Sequence, residues 1–425
     1  MSKIVVAGAG HGGIAAATLL ARRGYDVTLV EQNEEASLGY DWFDCILLYC
    51  FAQTGLEPPP QSELAPFRNL AYFNPRKTVC IPAQKEYSPS TQLIERKFLV
   101  RHLLHLARES GVALRFDCSA VSAVTDGLRV VGLKTADGVL PCDLLIDAAG
   151  MDSHVRKSLP EGCGILREID KADTLFTYRA LFEDTGECTD LPLCSAYFFH
   201  CGNQGFNWVR REEGCIDVLV GSFNAISPQI VETALRDFRA DYPYLGEKIL
   251  RGGTYSKIPL RRTLAQFVCD GYAAIGDSAA MIEPLSGSGL TRSILAAGFL
   301  CDAVEASRSF SRAELWPYEE AYFRRFLRPI LHDLTLKDVM LQMGEKKLDA
   351  MFEKQVITTK EMNGGKQTAA DLWHKATGVL TTPAVIPALA RMAVRNKKEP
   401  QLLQTLPHNY DAARVAAWQQ AYVHF

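Results

Sequence analysis

No apolar run in this sequence approaches the roughly 20 residues that a transmembrane helix requires. The nearest stretch, around residues 293–304, is interrupted by Gly298 and Asp302. An excess of either charge is also lacking, since 46 Lys and Arg residues face 49 Asp and Glu residues, for a net charge of −3. This balance gives no reason to expect nucleic acid or an anionic membrane surface as a partner.

The 12 cysteines include no C-x-x-C pair, and their spacing matches no zinc or iron–sulfur pattern. The N-terminus turns glycine-rich at Gly8, which is atypical of a secretory signal. We therefore expect reduced, mostly buried thiols in a cytoplasmic protein without a metal site. The 425 residues are 48% hydrophobic and 22% charged, as in a globular protein. This length suggests about two to four domains.

The first thirty residues contain a dinucleotide-binding fingerprint in its required context. An apolar, β-branched strand over 3–7 leads into Gly8-Ala9-Gly10-His11-Gly12-Gly13, which fits G-x-G-x-x-G. A helix over 14–23 and a strand over 27–30, closed by Glu31, complete the pattern. The agreement of strand, turn, helix and acid predicts a Rossmann-like domain, although the fingerprint alone does not separate FAD from NAD.

Each fingerprint residue has a physical role. Gly8 allows the tight turn, Gly10 lets the backbone approach a pyrophosphate, and Gly13 lets the helix pack on the strand. The helix N-terminus offers free N–H groups and a positive dipole end to the phosphate. Glu31 can bind ribose hydroxyls and disfavours a 2′-phosphate, so we do not expect NADP here. His11 is interpreted as a residue at the start of the helix.

Three further segments extend the pattern. Residues 96–111 form an amphipathic helix that ends at glycine. A buried strand over 143–147 leads into Ala148-Ala149-Gly150-Met151-Asp152-Ser153-His154-Val155-Arg156. A strand over 272–275 leads into Gly276-Asp277-Ser278-Ala279-Ala280 and then Pro284-Leu285-Ser286-Gly287-Ser288-Gly289-Leu290-Thr291, before a long helix.

Together these segments resemble the glutathione-reductase-type FAD oxidoreductases of the aromatic hydroxylase branch. Arg96, Leu103, Ala107 and Gly111 match the spacing of the R-x-x-F-D-x-x-L-x-x-x-A-x-x-x-G helix. Gly150, Ser153, Val155 and Arg156 match the D-G motif, with Ala149 in place of its aspartate. The motif G-D-x-A…P-x-x-G-x-G is complete. The resemblance covers about residues 3–300 and implies bound FAD.

The resemblance also implies roles for individual residues. Asp277 would bind the ribityl chain, Arg96 the ribityl or pyrophosphate region, and residues 287–290 the O2/N1 edge of the isoalloxazine. A helix N-terminus at that edge would stabilise the anionic reduced flavin. The expected FAD-binding residues are Gly8, Gly10, Gly12, Gly13, Glu31, Gln32, Arg96, Val121, Gly150, Asp277, Pro284, Gly287, Ser288, Gly289 and Leu290.

The sequence predicts an α/β fold, with a doubly wound FAD-binding domain, an inserted antiparallel substrate domain and a helical C-terminus. The expected bounds are 1–164 with 269–328, 165–268, and 329–425. Strands are predicted over 174–182, 196–200, 206–210 and 215–221, and a helix over 227–242. In the tail we expect helices from 331, over about 383–396 and over 410–423, with a loop at 363–366. This tail could cap the substrate cavity or pair two subunits in a homodimer.

Gly205-Phe206-Asn207-Trp208, with Gly221 thirteen residues later, resembles the F/Y-x-W…G signature of the geranylgeranyl reductase family. Arg210-Arg211 stands where that family has Phe-Pro, and its cysteine-glycine motif is not intact in 37–45. The resemblance implies hydride transfer from flavin N5 to a carbon–carbon double bond of a largely apolar or amphipathic substrate. NAD(P)H or a redox protein would supply the electrons.

Other functions remain open at this level. A monooxygenase would use NAD(P)H and dioxygen, a flavin-dependent halogenase would share a tryptophan-containing stretch, and a binding protein would only carry the flavin. The catalytic residue is unknown. The candidates are Cys45, Trp208, Arg210 and His200. Tyr178 and Tyr40 are further candidate proton donors, and Arg211 is a further candidate contact for a substrate carboxylate.

Overall fold

The computed structural model describes residues 1–67, 70–82, 91–186, 192, 194–212, 214–358 and 385–425. The strands are β1 Lys3–Ala7, β2 Asp26–Val30, β3 Phe43–Leu47, β4 Leu64–Pro66, β5 Ala71–Phe73, β6 Cys80–Pro82, β7 Thr91–Glu95, β8 Ala113–Arg115, β9 Ala120–Asp126, β10 Arg129–Thr135, β11 Gly138–Pro141, β12 Leu144–Asp147, β13 Leu175–Asp184, β14 Cys194–Phe198, β15 Phe206–Glu212, β16 Cys215–Ser222, β17 Leu245–Ile258, β18 Val268–Cys269 and β19 Tyr272–Ala274. The helices are α1 His11–Arg22, α2 Tyr49–Thr54, α3 Arg96–Glu109, α4 His154–Lys157, α5 Pro228–Asp241, α6 Leu290–Ala306, α7 Arg312–Glu353, α8 Ile386–Thr405 and α9 Ala412–Val423.

A mostly parallel sheet carries the N-terminal fingerprint. Its six strands lie in the order β18-β19-β12-β1-β2-β8, and only β18 runs antiparallel to its neighbour. Residues 4–7 of β1 are buried, as the apolar run predicted. Helix α1 packs against β1 and β2, and strand β10 packs against β12. The carboxyl ends of β1, β2, β12 and β19 meet at one edge, which is where ligands bind in folds of this kind.

The middle of the chain forms a second sheet of seven strands, in the order β17-β13-β16-β15-β14-β5-β6. All neighbours are antiparallel except β14 and β5. Ser227 caps α5 by accepting a hydrogen bond from the N–H of Ile230, and Pro228 occupies the first turn. The apolar side of α5 then covers one face of this sheet through Val231, Leu235 and Phe238. The four predicted strands and the helix over 227–242 are confirmed to within a few residues.

Two small sheets complete the β structure. The order β11-β10-β9 is an antiparallel meander, and β3-β7-β4 is the sheet that connects the fingerprint region to the seven-stranded sheet. The predicted α/β class, with an antiparallel second sheet and a helical C-terminus, is confirmed. The division into domains stays a prediction; the seven-stranded sheet also includes β5 and β6, which the predicted bounds assign to the cofactor domain.

The C-terminal helices pack on both halves of the molecule. The first part of α7 contributes Leu315, Phe323 and Leu331 to the core of the parallel sheet. The second part contributes Val339 and Phe352 to a cluster with β6 and the end of β14. The predicted loop at 363–366 lies outside the described residues.

Two other predictions concern membranes and thiols. Across the described ranges, no helix combines the length and apolar character needed to cross a bilayer. The cysteines within those ranges form no disulfide, and most are buried.

Glu319 of α7 binds the edge of the parallel sheet. Its Oε1 accepts hydrogen bonds from the backbone N–H groups of Phe267 and Val268, which begin the edge strand β18. The side chain is fully buried. Burial raises the pKa of Glu319 to about 7, although the two N–H groups and Arg312 act in the opposite direction. Near neutral pH the carboxyl is therefore close to its titration point inside the core.

We expect Glu319→Gln to change how stability depends on pH. The folded-state pKa of about 7 lies above the ordinary value of 4.5, so the folded protein holds an extra proton between these values. The wild type should lose stability as pH rises from about 4.5 to about 7, by roughly 3 kcal/mol at most. The amide stays neutral, so the variant should gain stability relative to the wild type over this range. Urea denaturation at several pH values measures the difference, and parallel curves would contradict it.

Candidate functional site

The glycine turn between β1 and α1 combines close packing with open space. Gly8 has a φ of +102°, and a Cβ built on it would lie 2.5 Å from the Ala148 carbonyl oxygen. A Cβ on Gly13 would lie 2.6 Å from the Ala148 Cβ. A Cβ on Gly10 would come no closer than 3.4 Å to that oxygen. Gly8 and Gly13 are therefore needed for packing, whereas Gly10 keeps the start of α1 accessible to a ligand.

The first turn of α1 is available to a bound group. It receives no side-chain cap from the described residues, so its N–H groups can bind phosphate. Gly12 in that turn packs against Ser293 of α6, with 3.1 Å between a built Cβ and the Ser293 Cβ. The helix begins at His11 and not at the predicted residue 14, because Gly12 and Gly13 take helical positions in this packing.

His11 is a buried member of this site that sequence reasoning treated only as a helix start. Its Nε2 is buried and has no hydrogen-bond partner among the described residues. Burial lowers the pKa of His11 well below its ordinary value, and Arg96 lowers it further, while Asp44 opposes them. A neutral, buried nitrogen without a partner is a group that a bound ligand would satisfy.

Glu31 holds the glycine turn in place. Its Oε2 accepts a hydrogen bond from the N–H of Ala9 at 2.8 Å, and its Oε1 accepts two from Asn33. Gln32 follows as an exposed residue. Cys118 donates its N–H to the Glu31 carbonyl, so Val121, three residues later and 43% exposed, lies near the same end of β2. The predicted ribose acid therefore also fixes the backbone that would contact a phosphate.

Arg96 and Asp277 meet the start of α1 from two other segments. Arg96 opens α3, donates to Asp44 Oδ2 at 2.8 Å and keeps a buried Nε without a partner among the described residues. The Asp277 carboxylate accepts no hydrogen bond from the described residues. Burial raises the pKa of Asp277, and Arg96 opposes that shift. His11, Arg96 and Asp277 thus leave polar atoms for a ligand at one place.

The loop before α6 lies against this group. Gly287 has a φ of +76° and donates its N–H to the Glu283 carbonyl at 3.0 Å, so the loop turns back on itself. Pro284 is buried, and Ser288 accepts the N–H of Glu283 through its carbonyl. A Cβ on Gly289 would lie 3.7 Å from Asp277 Oδ1. The uncapped start of α6 at Leu290 therefore faces the same site. We call Gly8–Gly13, Glu31, Arg96, Asp277 and residues 284–290 the cradle.

The residues around Gly150 position the cradle. Asp147, at the end of β12, accepts hydrogen bonds from the Ser153 and Tyr272 hydroxyls and from the Ala149 N–H. Gly150 turns the chain with a φ of +81°. Arg156 is fully buried and donates to the Ser278 carbonyl at 2.6 Å, next to Asp277. The hydrogen bonds of Asp147 and Arg156 therefore hold the end of β12 next to the loop that carries Asp277.

One face of the seven-stranded sheet is directed toward the cradle. Trp208 pairs with Leu219, and Leu219 pairs with Arg179, so the three side chains share a face. Arg210 and its partner Asp217 lie on that face too. Because Arg179 binds Asp44 and the Phe43 carbonyl of β3, this face meets the sheet that supports Arg96. We call it the inner face and define it by Arg179, Trp208, Arg210, Asp217 and Leu219.

A continuous stack of rings and guanidinium groups joins the cradle to the inner face. Tyr40 and Trp42 stack with 4.5 Å between ring centroids, and Arg179 lies 5.0 Å from the Trp42 centroid and 5.2 Å from that of Trp208. In order, the stack is Arg96, Tyr40, Trp42, Arg179, Trp208 and Phe206. Cation–π contacts of this kind are strongest where water is excluded. The predicted residues Trp208 and Tyr40 are thus brought into one unit.

The charges of the inner face are paired with one another. Arg179 donates to both oxygens of Asp217, at 2.9 and 2.6 Å, and to Asp44 at 2.7 Å. Arg210 donates to Asp217 at 2.7 Å. Burial alone would raise the pKa of Asp44, but Arg179 and Arg96 lower it to about 2. Arg210 is therefore engaged with a buried carboxylate.

Cys45 lies on β3, between the cradle and the inner face. Burial and the charge of Glu283 raise the pKa of the Cys45 thiol to about 12, and Arg210 acts in the opposite direction. The thiol is therefore protonated and weakly acidic. Cys45 therefore does not have the low pKa of a redox thiol.

His200 lies on the opposite side of the sheet, under α5. Its ring stacks on Phe238, with 4.5 Å between centroids. The Asn207 amide donates to Nδ1 at 2.9 Å, because its oxygen accepts the Gly221 N–H, and Nε2 then donates to Asp237 at 2.7 Å. Burial lowers the pKa of His200, against the effect of Asp237. The neutral ring has both nitrogens committed within this face.

The atoms of His200, Cys201 and Asp237 lie within 4.8 Å of one another, a spacing that would suit a metal ion. However, the Asn207 amide keeps the proton of His200 on Nε2, and Lys77 donates to Asp237 Oδ2 at 2.7 Å. The ligand positions are thus already used by hydrogen bonds.

Two other residues weighed from the sequence lie on this outer side. Arg211 forms two hydrogen bonds with Asp184 and lies over the ring of Tyr244. Tyr178 is part of the cluster under α5. Both are separated from the inner face by the sheet itself.

A family model described as an NAD(P)-binding Rossmann-like domain matches residues 6–41. A digeranylgeranylglycerophospholipid reductase of Methanopyrus kandleri is 24% identical over 82% of this chain and 89% of its own length. The reductase of that name from Methanocaldococcus jannaschii is also 24% identical, with the same shares covered.

Solved structures agree in fold. A geranylgeranyl bacteriochlorophyll reductase-like protein of Thermoplasma acidophilum superposes with a TM-score of 0.73 and 18% identity, over 92% of this chain and 98% of that chain. A probable FAD-dependent monooxygenase of Pseudomonas aeruginosa gives 0.60 at 16% identity, over 83% and 99%. Together with the named relatives, these likenesses confirm the predicted fold and the resemblance to the geranylgeranyl reductases. The chain is an oxidoreductase homologous to the geranylgeranyl reductases.

Proposed function

We propose that the protein binds FAD and reduces a carbon–carbon double bond of a largely apolar, isoprenoid-like substrate by hydride transfer from flavin N5. The observation that carries the proposal is the inner face, which places an aromatic surface over the cradle and keeps its charges paired internally. The names of the relatives support a lipid with an apolar chain and a polar head as substrate.

The cradle fits FAD on three independent grounds. A Cβ on Gly8 or Gly13 would collide with the turn after β12, so the backbone is as close as dinucleotide binding requires. The starts of α1 and α6 are both uncapped. His11 Nε2 and Arg96 Nε are buried donors or acceptors that a ligand would satisfy. FAD bound here would supply the hydride chemistry.

The chain's own residues would orient the substrate and exclude water. The Trp208 ring is held on Arg179 and next to Phe206, so its position is fixed before any substrate binds. Because Arg179 and Arg210 are neutralised by Asp44 and Asp217, they attract no water or anion to the inner face. A dry aromatic surface can present an alkene to a hydride donor.

The reduction also needs a proton, and none of the four catalytic candidates predicted from the sequence is suited to donate it. Cys45 has a pKa of about 12, and Arg210 is bound to Asp217. His200 is neutral and lies under α5. Trp208 carries only an indole N–H, which does not titrate in this range. Trp208 is therefore proposed as a substrate contact, and the acid must be another residue.

The alternative is a monooxygenase that uses NAD(P)H and dioxygen, and the observation in its favour is the shared fold with a probable FAD-dependent monooxygenase. The reductase is preferred because Ala149 lacks the carboxylate of the hydroxylase D-G motif, and the Asp147 carboxylate nearby is used in structural hydrogen bonds. A halogenase is a weaker alternative. The proposal also includes NAD(P)H or a redox protein as the electron donor, a cytoplasmic location and a homodimer.

Gly10→Ala tests the cofactor site. A Cβ there meets no close protein atom but projects where the pyrophosphate would approach, so FAD binding should weaken by about 3 kcal/mol, or roughly 100-fold in Kd. The melting temperature of the apoprotein should stay unchanged. Gly24→Ala at the other end of α1 is the matched control, because its φ of +86° predicts lower stability with normal FAD binding. Titration with FAD and thermal melts separate the two effects, and wild-type FAD affinity in Gly10→Ala would exclude the proposed site.

Trp208→Ala tests the reaction. Anaerobically reduced wild type should be reoxidised by an unsaturated isoprenoid, giving a product two hydrogens heavier. In the variant, kcat/KM should fall roughly 10- to 100-fold through loss of an aromatic contact of about 1–3 kcal/mol, while FAD stays bound. Trp208→Phe keeps a ring on Arg179 and should retain most activity. Labelled oxygen from dioxygen in the product would instead assign the monooxygenase reaction, and an added requirement for halide would assign a halogenase.

A further inference from the structure

We propose that Asp333 of α7 is the acid that protonates the second carbon of the reduced double bond. The inference rests on the proposed reduction and supplies the residue that the sequence did not identify. It is carried by the position of Asp333 on α7, by the surroundings of Glu283 and by the lack of any hydrogen-bond partner for Asp333 among the described residues.

Neighbours on the same helical face direct Asp333 toward the loop that ends the cradle. Phe326 lies two turns earlier on α7, at i−7, and its ring contacts Arg292 with 5.2 Å to the centroid. Lys337 lies one turn later and donates to the Leu260 carbonyl. A Cβ on Gly287 would lie 3.7 Å from the Leu260 side chain. Asp333 is thus bracketed by a contact to Arg292, at the end of the loop over 283–292, and by a contact to Leu260, which lies beside Gly287 of that loop.

Glu283 is the acidic group that faces Asp333 from this loop. Its Oε2 accepts a hydrogen bond from the Ser286 hydroxyl at 2.7 Å, and its Oε1 lies 3.7 Å from Arg292 Nη2. Its charge acts on Cys45 of β3 as well as on Asp333. Glu283 therefore lies between α7 and the space that separates the cradle from the inner face.

The surroundings of Asp333 suit a proton donor near neutral pH. Burial and the charge of Glu283 raise the pKa of Asp333 to about 7, against the effect of Arg292. On α7 itself, Lys337 is bound to Leu260 and His332 is exposed. General acids work best when their pKa is close to the operating pH.

The proposed step balances in atoms and charge. One alkene carbon takes the hydride and forms the first new C–H bond. The π electrons of the second carbon take the proton of Asp333, so that the O–H bond breaks and the second C–H bond forms. Asp333 is left as a carboxylate facing Arg292, and solvent returns its proton before the next turnover.

Asp333→Asn tests the step, with Asp338→Asn as the matched control because Asp338 is on another face of α7 and pairs with Arg395 at 2.8 Å. Since the acid must be protonated, wild-type kcat should fall as pH rises through about 7. In Asp333→Asn this limb should disappear and kcat should fall roughly 100-fold or more. FAD binding should be unchanged. The control should keep the wild-type rate and pH profile, and a wild-type profile in Asp333→Asn would overturn the proposal.

Two further readouts cover other failures. In D2O, wild type should place deuterium in one configuration at the second carbon, and Asp333→Asn should lose that preference.

If Asp333→Asn does not fold, Glu283→Gln is the second variant. It should move the fall of kcat at high pH to a lower pH, and an unmoved pH profile would overturn the proposed influence of Glu283 on Asp333. Carboxyl ¹³C NMR of Asp-labelled protein without substrate should show one signal that titrates near pH 7, absent from Asp333→Asn. If wild-type protein lacks this signal, the role of Asp333 is refuted. If wild-type protein shows the signal but reduces no alkene, only the proposed function is refuted.

Discussion

Arg179 is the side chain on which the relation between the two halves of the molecule depends. It is almost fully buried and binds Asp217 within its own sheet and Asp44 on the small sheet that supports Arg96. Removing one partner from such a group leaves an uncompensated charge in the interior and costs about 3–5 kcal/mol. The sheet can therefore approach the cradle only at the spacing where Arg179 reaches both carboxylates. The rings of Trp42 and Trp208 on its two sides limit its tilt as well.

This constraint shapes the chemistry of the site. A sheet face with two arginines would ordinarily bind anions or water. Here the hydrogen bonds of Arg179 and Arg210 end on Asp44 and Asp217, so what remains for a ligand is aromatic and apolar surface. The same arrangement explains why Arg210, weighed from the sequence as a contact for a substrate carboxylate, serves to hold Asp217. The proposed proton donor, Asp333 of α7, lies outside this sheet.

The C-terminal helices link the two cores. The first part of α7 packs on the parallel sheet and its second part on the edge of the seven-stranded sheet, with a break at Gly344, where φ is +66°. Between these parts the helix passes the loop at 283–292 and presents Asp333. The sequence predicted apolar helices here, and the sets around Leu331 and Met343 are indeed buried. Their placement was not predictable, because an apolar helical face does not specify which of several apolar surfaces it will cover.

The sequence by itself determined the features that depend on neighbouring residues. The glycine turn, the presence of α1 and the acid after β2 lie within 31 residues, and each follows from the residues next to it in the chain. The strands of the second sheet and the helix α5 were predictable for the same reason. Tertiary structure alone decided the inner face, since Arg179 lies 38 residues from Asp217 and 135 from Asp44. It also decided that His200 lies behind the sheet and that Asp333 faces Glu283. No local pattern encodes such pairs, because they form only when distant segments desolvate one another on folding.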